Sequence, residues 1–433
     1  MAVETDEVVK IDQPSGPARP GFLTIFTGHT LYTFVHSLLF ANVMWLMPLL
    51  VRLRFGSENH DVKDWQTTAV TLAIPAMFLT SLFWSEFLRR TSLRTYMLIF
   101  WLSATLPLGC LAFVQNYWQF LVCHVISCAG VAAWSPVNGR LLKHFYADTS
   151  RGRIFGVLNV VNYCSGILAI YFVGKWMEEH PDGFRVIFPV TALLHFASVL
   201  LLVRLAVRSG AEIELGPEPA RDWRAVYEPL LKMGTILRQD PVFLRYELAF
   251  MTYGAAYMCG EAILPVLGTD KLNLRYEDYS HSTQMAMKIA MLVTTIGMGW
   301  LLDRIGPVRT SAVSFGILIF YPLALLLAES PDGLAGASTI YGVGLSGVVL
   351  TWMLGPVTLA GNPQLVPHYV AIHATLVGIR GILFQGLGMV LYKLTGGFAW
   401  PLLIAAGAFF WATGQMILLQ RRMSRESRMK NSV

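Results

Sequence analysis

Charge is scarce in this chain. Only 14% of its 433 residues are Asp, Glu, Lys or Arg, while 55% are hydrophobic. A soluble domain carries nearer a quarter charged residues, so the shortage excludes a soluble globule and points to a polytopic membrane protein. Cysteine is scarce as well. Cys110, Cys123, Cys128, Cys164 and Cys259 are odd in number and all lie in apolar segments. They form neither a disulfide framework nor a metal-ligand spacing. The sequence also lacks a G-x-x-x-x-G-K-[ST] phosphate loop, an H-E-x-x-H pair and a G-x-S-x-G elbow. Without them neither ATP-driven pumping nor hydrolysis is expected, and no enzyme activity, cofactor or metal is assigned. The net charge of +6 comes from short loops and the C-terminal tail, where basic residues orient helices. Nucleic acid is therefore not an expected partner.

What is present is a series of long apolar runs. Residues 1–21, polar and without a basic leader, read as a disordered cytoplasmic tail rather than a signal peptide. Phe22 to Val51 then carries no Asp, Glu, Lys or Arg, more than the ~20 residues needed to cross a bilayer. Eleven further runs follow, near 67–88, 95–114, 117–142, 153–174, 184–206, 243–267, 283–302, 310–328, 334–360, 367–391 and 398–420. The expected fold is an all-α integral membrane protein of twelve transmembrane helices. Most of the 33 lysines and arginines fall in the tails and the even-to-odd connections, which places both termini in the cytoplasm of a cell-membrane protein. Between the two sets of six, residues 208–242 form a linker. There Trp223, Val226, Tyr227, Leu230, Met233 and Leu237 recur at helical spacing against Arg224, Glu228, Lys232 and Arg238, the pattern of an amphipathic surface helix. The domain plan is a bundle over 22–207, a second over 243–420, and a basic tail over 421–433.

The two sets match at one offset. Pro48 pairs with Pro265 (265 − 48 = 217), Gly130-Val131 with Gly347-Val348, and Glu86 with Asp303, each 217 apart. One offset across three helices indicates an internal duplication. The turn between the eighth and ninth runs reads Gly299-Trp-Leu-Leu-Asp303-Arg304-Ile-Gly306-Pro-Val-Arg309. Its glycines permit a tight hairpin, and Asp303 can pair with an arginine or cap a helix N-terminus. This G-x-x-x-D-R-x-G-x-x-R pattern resembles the loop signature of the major facilitator superfamily, and with the duplication the resemblance covers about 22–420. It implies two six-helix bundles. The first, fourth, seventh and tenth helices would line a central cavity flanked by the second, fifth, eighth and eleventh. It makes Gly299, Asp303, Arg304, Gly306 and Arg309 gating residues. Their first-half counterpart around Glu86 lacks both glycines. The fifth run also lacks the G-x-x-x-G-P-x-x-G-G motif that the superfamily's drug–proton antiporters carry, which argues against that activity.

Ionisable groups inside spans are the remaining functional candidates, since a Lys or Arg at the bilayer centre costs about 2.5–3.5 kcal/mol unless it meets water or a partner. Lys288 and Arg380 are the basic residues in mid-span. His281, Gln284 and Lys288 share a helical face, as do His373 with Arg380, Tyr253 with Tyr257 and Glu261, and His29 with Tyr32 and His36. The fifth run adds Asn159, Asn162 and Tyr163; the fourth adds His124, Ser127 and Asn138. Substrate binding is assigned to Arg380, Lys288, His373, Tyr253, Tyr257, His36 and Tyr32, and proton coupling to Glu261. Each has a structural alternative: interhelical hydrogen bonds for the His and Tyr residues, snorkelling for Lys288, and an Arg380–Glu261 ion pair. Two cations against one or two carboxylates lean towards an organic anion moved by alternating access, with proton symport. The expected partners are that small solute and the lipid bilayer, with the chain a monomer. The rival readings are efflux of amphipathic compounds and a non-transporting scaffold, which the degenerate first-half loop would suit.

Overall fold

The computed structural model describes residues 20–210, 224–361 and 365–430, and these are helical nearly throughout. The spans run Phe22–Phe55, His60–Arg90, Leu93–Phe113, Tyr117–Phe145, Ser150–Glu179 and Phe184–Arg208, then Pro241–Lys271, Tyr276–Leu327, Pro331–Leu359, His368–Thr395 and Ala399–Glu426. The 52 residues of Tyr276–Leu327 are two spans in one. Gly306 breaks them with φ +77°, a conformation that costs a side-chain-bearing residue dearly and glycine little. Split there, the described residues hold twelve helices long and apolar enough to cross a membrane, as the apolar runs predict.

Several helices extend beyond the expected limits. The second begins at His60 rather than near 67 because Asn59 accepts from the backbone N–H of Asp61 and Val62, an N-cap formed inside polar sequence. Two of the repeated prolines act alike. Pro48 and Pro265 each sit inside a helix, and each is followed by a widened π turn, Val51–Phe55 and Leu267–Lys271. The repeated glycines mark close helix approach: a Cβ on Gly130 would lie 2.3 Å from the Ala104 backbone, and one on Gly347 would lie 2.1 Å from Ser314 Oγ.

Large apolar side chains project outward along the bundle, among them Val293, Ile296, Leu193 and Phe410. Such a surface is stable only against lipid tails. The linker helix, Arg224–Gln239, packs on the linker end of the second span and on the eleventh. Its Ile236, Met233 and Leu237 join Phe243, Tyr369 and Ile372 in a small apolar cluster. Trp223 lies outside the described residues. Between the two sets of six, the second span meets the eleventh and the fifth meets the eighth.

Candidate functional site

The first half contributes a pocket between the first, fourth and fifth spans, lined by His29, Tyr32, His36, Trp134, Asn138, Asn159 and Asn162 among others. His29, Asn138 and Phe155 stand nearest the linker end, and His36 and Asn162 lie deeper. Its volume of about 70 Å³ is small beside the roughly 300–1,000 Å³ of a ligand site, so it forms one wall of a larger one. The wall is aromatic and neutral. Tyr32 packs 4.7 Å from Trp134, and its hydroxyl lies 3.3 Å from His36 Nδ1. That nitrogen is also 3.2 Å from His195 Nε2, whose other nitrogen meets Thr105 Oγ1 at 2.9 Å. His124 and Ser127, expected in the cavity, instead bond the backbone carbonyls of Val70 and Ala104 and are fully buried. They hold helices together.

The second half is charged. His373 Nδ1 meets both carboxylate oxygens of Glu247, at 2.8 and 2.9 Å, with both side chains buried. Two turns further along the eleventh span, Arg380 lies across the seventh. Its Nη1 donates to the Phe250 carbonyl at 2.6 Å, its guanidinium stands 5.5 Å from the Tyr253 ring centre, and its Nε has no acceptor. Gly254 makes the crossing possible, because a Cβ there would lie 2.2 Å from Arg380 Cδ. The expected Arg380–Glu261 ion pair does not form; the carboxylate in electrostatic reach of Arg380 is Glu247. Glu261 has no ion pair or hydrogen bond among the described residues. It faces a group of tyrosines that includes Tyr253, Tyr257, Tyr321 and Tyr341.

Lys288 comes from the eighth span and lies along the seam. Its Cδ would be 3.5 Å from a Cβ on Gly166 of the fifth span, beside Ser37, whose Oγ donates to the Asn162 carbonyl at 2.7 Å. Lys288 is therefore a second-half cation packed on the fifth span about one helical turn beyond Asn162 of the first-half pocket. It has no partner among the described residues.

A sequence profile of the Major Facilitator Superfamily matches residues 30–392 of this chain. The chain belongs to that superfamily. Solved structures with the same fold include the human organic anion transporter MFSD10 (TETRAN), with a TM-score of 0.66 at 15% identity, covering 92% of this chain and 100% of that one. Another is a point mutant of the nucleoside transporter NupG, with a TM-score of 0.70 at 13% identity over 91% and 99% of the two chains. No curated protein matches by sequence.

At the end opposite the linker, charged side chains bridge the two halves. Arg52 of the first span, 5% exposed, pairs with Asp64 of the second and Asp270 of the seventh, and its Nε donates to Thr269 Oγ1 at 3.0 Å. Lys393 of the eleventh span joins Asp64 and reaches Asp61 at 2.6 Å. Across the seam, Glu178 of the fifth span accepts from the Tyr276 backbone N–H at 3.0 Å and forms an ion pair with Arg275 at 3.3 Å. At the linker end the signature loop is slack. Asp303 is exposed with no ion pair among the described residues, and Arg304 lies over the Trp300 ring at 3.9 Å. Gly299 and Gly306 open the turn beside them, and Arg309 borders a surface hollow with Gln420 and Arg421 of the tail helix. Glu86, its first-half counterpart, is buried and pairs with Arg90 at 2.8 Å and Arg89 at 3.6 Å.

Sequence reasoning did not select Glu247, Arg52, Asp64, Asp270 or Lys393. For Glu247 a signal existed, because it stands fourteen residues, about four turns, before Glu261 on nearly the same helical face. The other four read as loop charges until the helices extended past the bilayer.

Proposed function

We propose that this protein is a secondary transporter for a small organic anion in the cytoplasmic membrane, working as a monomer by alternating access with both termini cytoplasmic. The observation that carries the reading is Lys288, a cation inside a span, at the seam, with no protein partner among the described residues. A charge so placed is costly unless a water-filled path or an anionic ligand meets it. Arg380 adds a second cation whose Nε is left without an acceptor, suited to a carboxylate or phosphate. The ion pairs of Arg52 and Lys393 fit a state closed to the outside and open to the linker side. Glu261, a carboxylate with no ion pair, is the group proposed to carry a coupled proton. The test is flux into proteoliposomes: Lys288→Gln should lower uptake of organic anions at least tenfold while Lys288→Arg retains most of it. Equal uptake by wild type and Lys288→Gln would remove the anion reading. Absence of flux for any small solute would favour the scaffold alternative.

A further inference from the structure

The first-half wall and the second-half cation lie side by side, and neither alone explains the other. Trp134, Tyr32 and His36 present ring faces and edges to the pocket. Deeper along the same wall Asn159 and Asn162 offer side-chain amides with no hydrogen bond among the described residues. An amide supplies both a donor pair and an acceptor in one plane, the complement of a planar ring with polar edge atoms. An aliphatic chain could pack on the rings but would leave the amides unpaired. Lys288 stands about one helical turn from Asn162, against Gly166. Arg380 and Glu247 lie on the other side of the seam.

We infer that the anion this site takes is a planar aromatic or heteroaromatic acid, with its ring on Trp134 and the Asn159–Asn162 face and its negative charge on Lys288. The inference rests on the anion-transport reading and adds the shape of the rest of the molecule. It also explains why the two halves differ, for one half grips a neutral ring and the other a charge. Closing the halves on each other would then require both parts of the ligand, because each part bridges to the opposite bundle.

Four small probes separate the ring from the charge in the detergent-purified full chain, with binding measured calorimetrically: benzoate, nicotinate, cyclohexanecarboxylate and benzamide. Cyclohexanecarboxylate keeps charge and size but loses planarity and the π face. Benzamide keeps the ring and loses the charge. Stacking on an aromatic side chain predicts that benzoate binds about tenfold more tightly than cyclohexanecarboxylate, with nicotinate tighter still through its ring nitrogen. Trp134→Leu should bring the benzoate-to-cyclohexanecarboxylate ratio towards one. Asn159→Ala, a milder change, should cancel the advantage of nicotinate over benzoate. Cyclohexanecarboxylate binding as tightly as benzoate, or ratios unmoved in both variants, overturns the inference and leaves anion transport standing. Benzamide binding as well as benzoate overturns the anion reading itself. Failure of both ring acids to bind also overturns the inference.

Discussion

The two halves of this transporter arise from matching sequence yet line the seam with different chemistry. Around its pocket the first half presents histidines, asparagines, a tyrosine and a tryptophan, and its charged groups Arg52, Asp64 and Glu178 lie at the end opposite the linker. The second presents Glu247, Glu261, Lys288 and Arg380, each inside a span. A duplicated fold needs its helix ends, kinks and contacts in both copies, and these are what Pro48 with Pro265 and Gly130 with Gly347 preserve. It does not need the same ligand groups twice.

The sharpest way to break this contrast is to remove the second half's charge. Arg380→Ala should lower anion affinity about a hundredfold, with the protein still inserted. Arg380→Lys should lower it at least tenfold, about 1.4 kcal/mol, because an ammonium cannot reproduce the planar fork. Gly254→Ala should act in the same direction by displacing the Arg380 side chain. Since Arg380 does not pair with Glu261, the double change Arg380→Ala with Glu261→Ala should recover nothing; recovery of binding would show an ion pair between them in another state. These affinities are read by equilibrium binding on purified protein.

A smaller effect is expected at Glu261. Glu261→Gln removes the charge change that proton coupling requires, so accumulation driven by a pH gradient should vanish while counterflow down a gradient continues. A variant that still accumulates substrate would move the coupling group, with Glu247 beside His373 the next to examine. The smallest effects should come from the loops. Asp303 is exposed and unengaged in this state, so Asp303→Asn should slow the transport cycle several-fold with affinity unchanged, by weakening closure at the linker end. Glu86→Gln instead breaks a buried contact with Arg89 and Arg90 and should lower thermal stability more than rate. Rates from stopped exchange and melting temperatures would reverse the comparison if Glu86 proved the more rate-sensitive of the two.

The spans, the linker helix and the signature turn were legible because each is a local pattern: apolar length, helical spacing, or a glycine at a turn. Candidate residues were legible to the extent that being charged in lipid is itself unusual, which singled out Lys288 and Arg380 correctly as mid-span cations. Partnership was not legible. Arg380 reaches Phe250 and Gly254 rather than Glu261, and that depends on how the eleventh helix lies across the seventh. Arg52 escaped notice because its importance comes from meeting Asp64, twelve residues on in the next helix, and Asp270, 218 residues away in the other half.

The histidine pair beside the pocket has a consequence for proton order. His36 Nδ1 faces both the Tyr32 hydroxyl and His195 Nε2, and His195 Nδ1 faces Thr105. With both rings neutral, a proton on His36 Nδ1 must be given to His195 Nε2, which leaves His195 Nδ1 protonated and donating to Thr105. In the opposite arrangement Thr105 donates, His195 carries its proton on Nε2, and His36 carries its own on Nε2. The two tautomers therefore switch together. What the pocket offers a ligand at His36, a lone pair or an N–H, is set by which way a threonine hydroxyl points behind it. Nitrogen chemical shifts of the two rings would register the ligand's hydrogen-bonding edge as a joint flip, even for a ligand that touches only one of them.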